Sequence, residues 1–100
     1  MISMEDVMSE TAEKLEIQEL LNKGFALQEQ GHHAEAIHYF SEVIGMEPGH
    51  AVAYHRCGIS RCVLGQHELA TKDYTEAIRL SPGFFAAYNN RGNAHYRLGR

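Results

Sequence analysis

Apolar and small residues recur along this chain at i, i+4, i+7, the spacing that gathers side chains on one face of an α-helix. Leu20, Gly24 and Leu27 make the first stripe, Ala36, Phe40 and Val43 the next, and Ala70, Tyr74 and Ala77 a later one. Tyr54 with Gly58 and Tyr88 with Gly92 keep the i, i+4 part of the pattern. Polar residues fill the positions between, so each stripe predicts an amphipathic helix of roughly 14 residues. Met4, Val7, Met8, Ala12 and Leu15 also follow helical spacing, and Ser3 with Asp6 reads as a capping box at their start. Residues 1–16 are therefore expected either to extend the first helix or to pack as an N-terminal cap. No alternation of strand length appears, and the fold class is all-α.

The same pattern predicts where the helices stop. Gly31, Gly65 and Gly99 stand where a first helix must end in a left-handed cap, and Pro48-Gly49 and Pro82-Gly83 close the second helices. Gly24, Gly58 and Gly92 are different, because they fall in mid-helix, where glycine costs about 1 kcal/mol relative to alanine. They need a packing reason, and the expected one is small against small: Ala36 facing Gly24 and Ala70 facing Gly58 to let two helices approach closely.

These landmarks recur 34 residues apart: Gly24, Gly58 and Gly92; Gly31, Gly65 and Gly99; His33 and His67; Ala36 and Ala70; Pro48 and Pro82. Residues 17–50 and 51–84 are two whole repeats, and 85–100 is the first half of a third. A repeat of this length marks a solenoid of stacked helical hairpins, whose usual work is holding other proteins. Gly92 has no downstream alanine before Arg100, so the chain is expected to come from a longer array.

Leu20, Gly24, Ala36, Phe40, Val43 and Pro48, then Tyr54, Gly58, Ala70, Tyr74, Ala77 and Pro82, then Tyr88 and Gly92 together resemble the tetratricopeptide repeat over residues 17–100. Leu27, Arg61 and His95 depart from it, standing where that family often has an aromatic. The resemblance implies a right-handed α-solenoid of about two and a half repeats, with a concave groove lined by the first helix of each hairpin. Groove-facing places, by the same resemblance, are Gln18, Leu21, Phe25 and Gln28, then Val52, His55, Ile59 and Cys62, then Ala86, Asn89, Asn93 and Tyr96. Arg56, Val63, Asn90 and Arg97 flank them. The candidate peptide-binding residues are Leu21, Phe25, His55, Arg56, Ile59, Asn89, Asn93 and Arg97. Asparagine suits such a groove because its amide both donates and accepts.

Chaperone-binding members of that family grip an acidic C-terminal tail with a carboxylate clamp of Lys, Asn, Asn, Lys and Arg. The corresponding places here hold Leu21, Phe25, Arg56, Ala86 and Asn90, and none matches. An asparagine ladder like that of the O-linked glycosyltransferase repeats would use Asn22 and Asn90, but Arg56 interrupts it. The expected function is a protein-interaction scaffold that is not a clamp. The alternatives are a regulatory or substrate-docking segment of a larger enzyme, and a structural piece that associates with copies of itself.

Charge sharpens this picture. Residues 1–50 hold ten acids against Lys14 and Lys23, and residues 51–100 hold seven Lys and Arg against Glu68, Asp73 and Glu76. The polarity favours an acidic peptide near the C-terminal half, or weak head-to-tail self-association. It carries no dense basic stripe with interleaved aromatics, so nucleic acid is not the expected partner. The longest apolar run, Phe84 to Tyr88, is too short for a bilayer, no membrane partner is expected, and the expected location is cytoplasmic. His55, Cys57 and Cys62 do not share one helix side, and no CxxC or HxxxH occurs, so neither a metal nor any other cofactor is expected. Nothing positions a catalytic set, and no enzyme activity is expected.

Overall fold

The computed structural model describes residues 1–99. Arg100, the last residue of the expected third half-repeat, lies outside the described residues. Five helices follow one another: α1 (Met4–Glu29), α2 (His33–Met46), α3 (Ala51–Val63), α4 (His67–Leu80) and α5 (Phe85–Arg97). No strand occurs among the described residues. Each helix packs on the next in the chain, and α3 also touches α5, giving an elongated body of 54 × 29 × 17 Å. This is an all-α solenoid of helical hairpins.

The ends of the helices follow the local signals. Gly31, Gly65 and Gly99 adopt φ of 84°, 79° and 76°, a region that side chains with a Cβ avoid. Asp6 N–H donates to Ser3 Oγ at 3.1 Å and starts α1. His50 caps α3 by accepting the Ala53 N–H at its Nδ1, 3.1 Å away. Residues 4–16 continue α1 rather than folding back as a cap. All of residues 1–16 are exposed, so roughly half of this 26-residue helix, about 39 Å long at 1.5 Å per residue, projects beyond the hairpins.

Gly24 and Gly58 have a nearer partner than the expected alanine. A Cβ on Gly24 would lie 2.6 Å from the Phe40 ring, and one on Gly58 would lie 2.5 Å from the Tyr74 ring. The nearest contact of each of these glycines is an aromatic ring, nearer than Ala36 or Ala70. Helical side chains lean toward the N-terminus of their own helix, so a long ring on α2 reaches across to α1 where a methyl would stop short. Phe40 and Tyr74 are 0% and 1% exposed and centre the two cores. Phe40 packs with Leu21, Ala36, Val43, Ala53 and Cys57, and Tyr74 with Ala70, Ala77, Ala87 and Ala94.

Two of the three departures from the family pattern fit without loss. Leu27 packs against the first core. Arg61 Nη1 donates to Asp73 Oδ2 at 2.6 Å and ties α3 to α4. Burial pushes the Asp73 carboxyl above its usual value more than the Arg61 hydrogen bond and charge hold it down. Burial, with Asp73 nearby, pushes the neighbouring Cys57 thiol up to about 12, so this cysteine is a small core residue and unreactive.

Candidate functional site

The inner faces of α1, α3 and α5 meet at two junctions, and the two are built differently. At the α1–α3 junction Gln28 reaches across from α1. Its Nε2 donates to the Arg56 carbonyl at 2.9 Å and to Ser60 Oγ at 2.7 Å, while Arg56 Nη1 donates back to Gln28 Oε1 at 3.1 Å. His33 Nδ1, at the start of α2, lies 3.0 Å from the same Ser60 hydroxyl. The Arg56 guanidinium covers the Phe25 ring at 4.9 Å, and that ring in turn lies 5.6 Å from Phe40. The junction is filled and its polar groups are satisfied.

At the α3–α5 junction a cavity of about 730 Å³ stands open, walled by Ile59, Cys62 and Val63 on α3, His67 and Tyr74 on α4, and Asn90, Asn93, Ala94 and Arg97 on α5. Tyr74 O–H donates to Cys62 Sγ at 3.7 Å, which holds both side chains against the wall. His67 Nδ1 is buried and has no hydrogen-bond partner.

His55 sits behind this cavity, with its ring centre 4.6 Å from that of Phe84 and 5.9 Å from that of Tyr74. Burial, and then the charge of Arg56, lower its pKa below the ordinary 6.5. Asn90 Nδ2 lies 3.0 Å from His55 Nε2. An amide nitrogen can only donate, so the ring nitrogen accepts and the imidazole in this bond is neutral.

The eight expected site residues therefore part company. Ile59, Asn93 and Arg97 come together at the cavity. Phe25 and Arg56 are stacked on one another at the other junction. Asn89 is exposed on α5. Leu21 and His55 do not face the groove as expected, since they are only 6% and 8% exposed. For His55 the physical reason is that a helix flanked by several neighbours buries a wider arc than one stripe: on α3, Ala53, His55, Cys57, Gly58 and Ser60 are all buried; Leu21, on α1, is part of the first core with Phe40 and Ala53. Sequence reasoning gave no role to Ser60, Tyr74 or Ala94 at the groove. The signal was the comparison of residues one repeat apart, Gln28 with Cys62 and Ser60 with Ala94, which shows side chains shrinking at the second junction.

Profiles of the tetratricopeptide repeat match residues 20–50 and 58–99. The chain belongs to the tetratricopeptide repeat family. Solved domains of this family superpose closely. The first tetratricopeptide domain of Spaghetti (RPAP3), bound to the HSP90 peptide SRMEEVD, gives a TM-score of 0.81 at 25% identity over 84% of this chain and 67% of that one. The second such domain of human RPAP3, in complex with the HSP70 peptide SGPTIEEVD, gives 0.83 at 23% identity over 87% and 72%. The Sgt2 domain of Aspergillus fumigatus gives 0.80 at 21% identity over 84% of this chain and 56% of that one. No curated protein sequence matches the chain. No helix among the described residues is long and apolar enough to cross a membrane.

Proposed function

We propose that this chain is a protein-interaction module without catalytic activity, which holds a peptide segment of a partner along the inner faces of α3 and α5. The observation that carries this reading is the open cavity of about 730 Å³ where Ile59, Asn93 and Arg97 converge. A groove that offers apolar wall, amide and guanidinium side by side suits an extended peptide, which brings both side chains and backbone polar groups. Peptide-bound relatives of the same fold support it.

The acidic C-terminal tails held by those relatives are not the proposed ligand. Of the places that would carry a carboxylate clamp, Leu21 is in the core, Phe25 lies under Arg56, Arg56 is bonded to Gln28, and Asn90 is bonded to His55. Ala86 brings no charge. Clamping a carboxylate needs free donors, preferably cationic ones. Arg97, exposed at the cavity edge, is placed instead to meet an acidic or backbone oxygen of a passing segment.

Phe25 is a poor probe of binding, because its ring supports Phe40. Asn93 is exposed and outside both cores. Peptides selected on the wild-type chain from a random phage library are expected to bind Asn93→Ala about tenfold more weakly by calorimetry, with helicity by circular dichroism unchanged. The peptide SRMEEVD is expected to give no saturable heat with the wild type. Tight binding of SRMEEVD would overturn the exclusion of a clamp, and a library that yields no binder at all would overturn the groove.

A further inference from the structure

The repeat supplies an internal standard for the cavity. Phe25, Gln28, Arg56 and Ser60 at the filled junction stand one repeat before Ile59, Cys62, Asn90 and Ala94 at the open one. Every one of these four is replaced by a smaller side chain, while His33 is kept as His67. What the second junction lacks is the reach of the Gln28 amide and the hydroxyl of Ser60. Two observations register the loss independently: the cavity itself, and the buried His67 Nδ1 with no partner where His33 Nδ1 has Ser60 Oγ at 3.0 Å. Asn90 does not make good the deficit, because its amide nitrogen is turned to His55 at 3.0 Å.

We propose that the cavity between α3 and α5 takes a carboxamide side chain, glutamine or asparagine, presented by a bound partner segment; this rests on the peptide-binding reading above. The inserted amide occupies the space that Gln28 fills at the first junction. A carboxamide both donates and accepts, so it serves Asn93, the free oxygen of the Asn90 amide and either tautomer of His67. A carboxylate only accepts, so it meets the donors of Asn93 and Arg97 that line the cavity but has nothing to give the oxygen of the Asn90 amide. A purely aliphatic side chain fills the Ile59 and Val63 wall but leaves the polar groups unmet.

The double variant Cys62→Gln with Ala94→Ser rebuilds the first junction at the second and tests this directly. Library-selected peptides are expected to share a glutamine or asparagine whose change to leucine weakens binding about tenfold, and whose change to glutamate does not restore it. The rebuilt variant is expected to lose the peptides to a similar extent while its unfolding temperature holds or rises. Should that variant fail to fold, the wild type answers instead: bound peptide is expected to slow alkylation of Cys62 by iodoacetamide, since Cys62 lines the cavity. Peptides that tolerate leucine or prefer glutamate overturn the carboxamide assignment and leave the groove reading standing, whereas peptides that leave Cys62 as reactive as before overturn both. Absence of any selected peptide overturns both.

Discussion

Phe40→Ala is expected to lower the stability of the chain by about 3–5 kcal/mol, the range for removing a large ring from a core that cannot collapse around the hole. Phe40 is 0% exposed and its ring contacts both α1 and the rest of the first core. A domain of this size has roughly 5–15 kcal/mol to lose, so the variant stands near the edge of folding. Because each hairpin leans mainly on its neighbours, the first hairpin is expected to unfold ahead of the second. Urea unfolding followed by circular dichroism measures this. Tyr96→Ala, at a residue 81% exposed, is the control and is expected to change stability by less than about 0.5 kcal/mol. A Phe40→Ala variant as stable as that control would mean that the ring does not hold the hairpin.

The second large effect comes from one repeat position read with two signs. Gly58→Ala puts a methyl 2.5 Å from a Tyr74 ring that is 1% exposed and cannot swing away. Overpacking of this kind costs about 1–3 kcal/mol and outweighs the roughly 1 kcal/mol that leaving glycine returns to a helix. Gly92→Ala has nothing within 4 Å of the new methyl. In the 100-residue chain it is expected to keep the helix gain, raising the unfolding temperature by about 4 °C or more. Thermal unfolding of the two variants side by side decides the matter: shifts of the same sign would contradict the account of glycine against ring.

That pair also shows what was and was not legible in the sequence. Helix ends were legible because they depend on single residues with a local requirement, such as Gly31 with its positive φ and Pro48 just past α2. The importance of Gly24 and Gly58 was legible, but their nearest partner was not. Spacing tells which face of a helix a residue is on, and not how far a side chain from the opposite helix leans along its axis. A related limit put His55 on the groove. Counting one step past a stripe assumes a helix covered on one side, and α3 is covered by α2, α4 and part of α5. Asn93 and Arg97 are exposed on α5, whereas Ile59 packs against the second core and still reaches the cavity wall. The cavity was invisible in either repeat alone. It follows from differences in bulk between two repeats, and its depth depends on packing that no single helix pattern carries.

The most direct measurement of the central claim is an amide-resonance map of the isotopically labelled wild-type chain titrated with a library-selected peptide. The account predicts saturable shifts at Ile59, Asn93, Arg97 and the neighbouring turns of α3 and α5, with Glu42 on α2 and Lys72 on α4 unmoved. Shifts centred on the exposed faces of α2 and α4, with the α3–α5 cavity silent, would contradict it.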